Sequence, residues 1–253
     1  MDASVINNEL QALYKKYRKY VGIPQTDDKT MTLPSFFKCS DEYAKDDNIR
    51  IVFINNYFDP IFDCRKKDIH NDTFIDDCVK QYSNIMYKDW APRPDTSNSL
   101  YSDCILFRYF TYHINRNINK ERRKNYIFIS DKPLGIKPSD VGYDEFSKLE
   151  IDYFLSLMSI LQPHIVLLFK SSLLPQLENY ISYYPIPFSP DFIKEFENET
   201  AKMDCFLLDG VDFNCPFYSC DFYDYEDEDY VKAHIDLMSN YIIKRLEKYG
   251  VFK

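Results

Sequence analysis

Short apolar runs alternate along this chain with longer stretches whose apolar residues recur at helical spacing. Residues 126–129 form an apolar run that ends at Ser130, Asp131, Lys132 and Pro133. Over residues 144–161, Phe146, Leu149, Ile151, Phe154, Leu155, Leu157, Met158 and Leu161 make a wide apolar face at a period near 3.6, which predicts an amphipathic helix. A second apolar run follows at 165–169. Strand, polar loop, helix and strand in this order predict a βαβ unit. In such units the loops at the carboxyl ends of parallel strands carry functional groups, so a site is expected near Ser130, Asp131, Phe169 and Lys170.

The same pattern places the other elements. Leu10, Leu13, Tyr14, Tyr17 and Tyr20 predict a helix over 8–21, ended by Gly22 and Pro24. Residues 22–48 are polar and contain proline, and read as a long surface loop. A buried strand is expected at 51–54, helices at 70–88 and 102–115, and a loop at 90–98. A short helix is expected at 171–180. Three prolines in 184–190 exclude a central strand there. A polar helix is expected at 191–202, a fourth strand at 203–208, and a closing helix at 230–249 with Ile235, Met238, Tyr241, Ile242 and Leu246 facing inward. The expected architecture is α/β: three layers, with a small, mainly parallel central sheet flanked by helices. Residues 1–47 form an N-terminal helix and extended loop, and residues 48–253 a single α/β domain.

Composition narrows the function. Among 253 residues only 5 are glycine, and no Gly-rich phosphate loop of the Walker or dinucleotide type occurs, which weighs against nucleotide hydrolysis and Rossmann-type chemistry. The net charge of −9 argues against strong nucleic-acid binding, because such affinity comes largely from neutralising phosphates. One basic segment, 113–124, runs against that balance with Arg116, Lys120, Arg122, Arg123 and Lys124. It reads either as a solvated helix end or as a DNA-facing patch. The opposite charge concentrates at 221–230, where Asp221, Asp224, Glu226, Asp227, Glu228 and Asp229 alternate with aromatics. That run either caps the last helix or forms a protein-binding surface for a basic partner.

Seven cysteines follow no framework or zinc-ribbon spacing, and no Cys-x-x-Cys pair occurs, so neither a metal nor any other cofactor is expected. Met1 to Leu10 is polar, unlike a secretory leader, and no apolar stretch reaches the ~20 residues of a membrane span. A reducing, cytoplasmic setting without membrane contact follows as the expectation, or host cytoplasm or virion if the source is viral. The Tyr-, Phe-, Asn- and Ile-rich, Gly-poor makeup is compatible with an AT-rich genome such as that of a phage or its host.

Four segments, 55–63, 130–133, 169–172 and 214–219, resemble in order and spacing the strand ends of the uracil-DNA glycosylase superfamily. The resemblance spans roughly residues 48–245 and is strongest at 126–175. It implies that Asp59, before Pro60, positions an attacking water, with Asn55 or Asn56 as a substitute. It implies that Asp131, beside Ser130, stands where the family reads the base with Asn. It also implies that Cys215, before Pro216, stands where a late His-Pro-Ser motif stabilises the leaving base. Asp cannot offer the paired donor and acceptor of an amide unless protonated, and a thiol is a feeble donor. Asp59, Asp131 and Cys215 are therefore the candidate catalytic residues of a degenerate site. The expected function is non-enzymatic: an interaction or structural protein, for example a viral assembly or accessory component, with a protein partner. The alternative is a divergent DNA glycosylase acting on a flipped base such as uracil. A second alternative is an acidic DNA mimic or decoy. Bland readings stay open beside these: Asp59 as a turn former, Asp131 as a loop cap, and His164 and His234 as packing or surface histidines.

Overall fold

The first helix, α1 (Ala3–Tyr17), begins where Asp2 accepts a 2.8 Å hydrogen bond from the Ser4 amide. This cap starts the helix five residues before the expected 8 and satisfies an amide that has no partner within the helix. Ile6, Leu10, Leu13, Tyr14 and Tyr17 recur at three- and four-residue intervals and are buried. A 3₁₀ turn at Arg18–Tyr20 ends the segment. The computed structural model describes residues 2–21, 31–32, 34–45, 49–55, 61–62, 69–88, 124–135, 143–169, 173–182, 201–208, 211–213, 215–222, 240 and 243. The further helices are α2 (Asp41–Ala44), α3 (Phe74–Lys88), α4 (Tyr143–Leu161) and α5 (Leu174–Leu177). The strands are β1 (Met31–Thr32), β2 (Ile49–Asn55), β3 (Ile61–Phe62), β4 (Lys124–Ser130), β5 (Ile165–Phe169), β6 (Ile181–Ser182), β7 (Ala201–Leu208) and β8 (Phe217–Phe222). The expected elements at 90–98, 102–115 and 184–190 lie outside the described residues.

Six strands form the main sheet in the order β4-β2-β5-β8-β7-β6, and β1 pairs with β3 in a separate two-stranded ladder. The first four of the six are mutually parallel. β4, α4 and β5 are the βαβ unit read from the pattern, with β2 inserted between its two strands. Residues 49–54 of β2 and 165–168 of β5 are all buried, so successive side chains are covered on both faces. That explains the unbroken apolar runs, since a strand exposed on one face would alternate. The fold is thus α/β with a mainly parallel sheet.

Two expectations change. Residues 203–208 belong to β7, but β7 is antiparallel to β8, and the fourth parallel strand is β8 itself. Only residues 209–216 separate the two strands, too few for a crossover between parallel neighbours. Ala201 and Lys202, expected to end a helix, open β7, and the remainder of that expected helix is outside the described residues. The second change concerns residues 22–48. Instead of a surface loop throughout, Pro34 to Phe37, Cys39, Tyr43 and Ala44 are buried. Phe36 stacks on Tyr14 with ring centroids 4.3 Å apart, and Tyr17 meets Tyr153 of α4 edge-on at 5.3 Å. The N-terminal helix, this strap and the strands contribute to one buried cluster. Among the described residues, no helix is long and apolar enough to cross a membrane.

Candidate functional site

The parallel strands bring their carboxyl ends to one edge. Asn55 of β2 is level with Ser130 of β4 on one side and Phe169 of β5 on the other, and Phe169 is level with Cys220 of β8. The loop leaving β4 is buried: Ser130 is fully covered and Asp131 is 1% exposed. It is also tied down. The Lys132 amide donates to Ser130 Oγ at 3.2 Å, and the Gly135 amide to the Lys132 carbonyl at 2.8 Å. Gly135 has φ of 70°, a left-handed turn that suits glycine. The Leu134 amide donates to Glu150 Oε2 of α4 at 2.9 Å.

The buried strap from the N-terminal part covers this loop. The Ser35 amide donates to the Pro133 carbonyl at 2.7 Å, and the Ser130 amide donates to Ser35 Oγ at 3.2 Å. Tyr153 OH donates to the Ser35 carbonyl at 3.2 Å. Next to it, Tyr14 OH donates to the Phe37 carbonyl at 2.8 Å and accepts from the Phe37 amide at 3.0 Å. Burial pushes the Tyr14 and Tyr153 phenols well above their ordinary range, so both stay protonated donors. Tyr82 OH donates to the Phe128 carbonyl of β4 at 2.6 Å. Every contact of this edge named here is a neutral backbone group, hydroxyl or phenol, apart from Glu150.

The amino edge of the same sheet is built differently. Arg50, one residue into β2, is 8% exposed. Its amide donates to His164 Nδ1 at 3.0 Å, and its carbonyl accepts from the His164 amide at 2.8 Å. Arg50 Nε donates to the Gln162 carbonyl at 3.0 Å. Gln162 has φ of 43°, a left-handed position that costs a non-glycine residue roughly 1–2 kcal/mol. That turn closes α4 and aims the Gln162 carbonyl at the guanidinium. Tyr43 OH donates to the Leu161 carbonyl at 3.2 Å. Burial raises the Tyr43 phenol most; nearby thiols of Cys39 and Cys215 add to the rise, and the Arg50 charge opposes it. Cys215 lies here too, just before Pro216, whose carbonyl accepts from the Val166 amide at 3.1 Å.

Two of the expected catalytic residues, Asp131 and Cys215, lie at opposite edges of the sheet. Asp131 sits beyond the carboxyl end of β4, whereas Cys215 precedes β8 at the amino edge, on the order of 20 Å away along the strand direction. The cause is the antiparallel β7, which delivers its following loop to the opposite edge from the one a parallel strand would reach. Burial pushes the Cys215 thiol up to about 12, so it is neutral at physiological pH. Asp59 lies outside the described residues. So do Arg116, Lys120, Arg122 and Arg123, while Lys124 opens β4 opposite Ile49. Asp221 is in β8 opposite Lys202, and Asp224, Glu226, Asp227, Glu228 and Asp229 are outside the described residues.

Pattern reading missed Ser35, Glu150 and Arg50. A weak signal existed for each: an aromatic pair beside Pro34 in a polar stretch, an acid on an apolar helix face, and a lone charge inside the run at 49–54. Among the described residues, no group of three or more His, Cys, Asp or Glu side chains has the arrangement to hold a metal ion. Cys39, Cys78 and Cys215 are buried. No protein-family model matches this chain, and neither does any curated protein or solved structure.

Proposed function

We propose that this chain is a non-enzymatic interaction or structural protein, for example an assembly or accessory component of a virus. In this reading it is a three-layer α/β scaffold similar to uracil-DNA glycosylases, with a protein partner and a cytoplasmic or virion setting. The observation that carries it is the state of the β4 loop. Ser130 and Asp131 are buried, and Ser35 straps the loop at Ser130 and Pro133, where a base-reading group would need to face a pocket. The separation of Asp131 from Cys215 supports the same reading. The acidic run at 221–229 supplies the partner surface, which steers a basic protein by its field.

A second reading, a divergent DNA glycosylase, is favoured by one specific observation. The strand order sets Asn55 level with Ser130 and Phe169 at a single edge. The basic segment at 116–124 then serves as the DNA contact.

A single-turnover excision assay on oligonucleotides carrying uracil or other damaged bases, wild type beside Asp59→Ala, separates the two. The expected result is no abasic product from either protein. Product that vanishes in Asp59→Ala, with salt-sensitive DNA binding lost on Arg122→Ala and Arg123→Ala, would replace the interaction reading with the enzymatic one. The positive arm is a co-purifying partner whose recovery falls when Asp224, Glu226, Asp227, Glu228 and Asp229 are replaced by their amides.

A further inference from the structure

We infer that the basic end of α1 is a self-association surface, on which Lys15, Lys16 and Lys19 receive the acidic run 221–229 of a second copy. The inference rests on the interaction reading above and names its partner. Residues 14–20 read Tyr-Lys-Lys-Tyr-Arg-Lys-Tyr, four cations in seven residues of a chain with net charge −9. Lys15, Lys16 and Lys19 are exposed, and Tyr20 is half-buried. Among the described residues, no carboxylate lies within ion-pair distance of any of the four cations. Asp72, Asp76 and Asp77, in the segment that Arg18 contacts, are exposed but do not pair with them, and Asp77 accepts from the Thr73 hydroxyl at 2.9 Å.

The patch is held in place by the core beneath it. Tyr14 and Tyr17 are buried, and Arg18 donates through Nε and Nη2 to the Ile69 and Asn71 carbonyls, 5.8 Å from the Phe74 ring centroid. The Lys16 and Lys19 ammonium groups lie over the Tyr17 and Tyr20 rings, at 4.9 and 4.8 Å. The helix macrodipole accounts for Lys15 and Lys16 in the last turn, but not for Lys19, which lies beyond it. Cations held close together raise the local potential, and a segment bearing several carboxylates lowers it. The chain carries such a segment: residues 221–229 hold six acids and no cation, interrupted by Phe222, Tyr223 and Tyr225. Aromatics spaced by cations on one surface match aromatics spaced by carboxylates on the other, so each ammonium group can meet a carboxylate or a ring face. One exposed ion pair is worth little, and several made together set which surfaces meet. The run carries six of the nine net negative charges, leaving a net −3 for the rest of the chain, so the remainder of a second copy repels only weakly.

The test follows the full chain by sedimentation velocity across a range of concentrations. Self-association is expected at ~0.05 M salt and its loss at ~0.5 M, where the Debye length falls to about 4 Å. Lys15→Glu, Lys16→Glu and Lys19→Glu together are expected to weaken association at least about tenfold, and so are Asp224→Lys, Glu226→Lys, Asp227→Lys, Glu228→Lys and Asp229→Lys together. Mixing the two variants is expected to restore association, because the acidic run of the first meets the lysines of the second. A synthetic peptide of residues 221–230 is expected to inhibit association of the wild type, which needs no folded variant. A wild type that stays monomeric at every concentration and salt, association unchanged by loss of the lysines, or no restoration on mixing folded variants would each overturn the inference. Lysine-dependent binding of a duplex oligonucleotide by a monomeric chain would also overturn it and assign the patch to nucleic acid. A monomeric chain that still binds a different protein through 221–229 would overturn it and leave the interaction reading standing.

Discussion

The two ends of the parallel sheet solve the same problem with opposite chemistry. At the carboxyl end, the strand termini and the β4 loop are covered by a strap whose hydrogen bonds are neutral and mutual: Ser35 with Pro133 and Ser130, Tyr14 with both polar groups of Phe37. At the amino end, a guanidinium is buried against a histidine ring and a single carbonyl, with one nitrogen left over. Hydrogen bonds between neutral groups stabilise a fold at a small desolvation cost. A buried cation with one nitrogen lacking an acceptor costs stability. The end where catalytic loops are usual is thus held chiefly by neutral hydrogen bonds, and the amino end buries a charged guanidinium.

This contrast can be broken at several points. Phe36→Ala would remove a fully buried ring stacked on Tyr14 and leave a cavity under the strap, costing about 3–5 kcal/mol in urea unfolding. A loss below ~1 kcal/mol would mean the strap is not part of the cooperative core. Tyr14→Phe keeps the ring but orphans the Phe37 amide and carbonyl, for an expected loss of about 2 kcal/mol. Wild-type stability at alkaline pH supplies a third check. Burial raises both Cys39 and Cys215 to about 12 from an ordinary 9.0, so the fold favours their protonated forms. Their contribution is complete below pH ~9 and is lost as pH rises from there toward 12. The loss is about 1.4 kcal/mol per pH unit for each thiol within that window. Serine at both positions should flatten the limb between pH ~9 and ~10, before the buried phenols of Tyr14, Tyr43 and Tyr153 add their own loss, and an unchanged slope there would show that the thiols are not the titrating groups.

The smallest expected effect is the most diagnostic. Arg50→Met removes a buried charge and one hydrogen bond while filling similar volume. Stability should change by less than ~1 kcal/mol, or rise. A loss of 3–5 kcal/mol would mean that Arg50 is paired as a structural ion and that the two ends of the sheet are alike after all.

Much of the architecture was legible in the pattern of apolar positions. The β4–α4–β5 unit, the buried strand at β2 and the helix α3 follow from periodicity, because the faces they bury are set by local spacing. Fifteen residues of α1 were legible in type but not at their start, since one capping carboxylate, Asp2, moves the boundary. The direction of β7 was not legible. An apolar run reads the same in either direction, and pairing with β8 decides it. The burial of residues 34–37 was hidden for a similar reason: a short strap takes its partners from Tyr14 and Tyr153, more than 20 positions away in either direction.

The candidate site shows the same division. Residue types were fixed by the sequence: a Ser-Asp pair after an apolar run, a Cys-Pro pair late in the chain, a lone Arg among Ile and Val. Their grouping was not. One reversed strand carries Cys215 to the edge opposite Asp131, and the β2–β5 neighbour relation brings Arg50 to His164, 114 positions later. Local sequence determines which faces must be buried, because hydrophobic periodicity acts over a few residues. Only the tertiary structure decides which polar groups meet, because strand order and direction are settled by long-range pairing that no local spacing encodes.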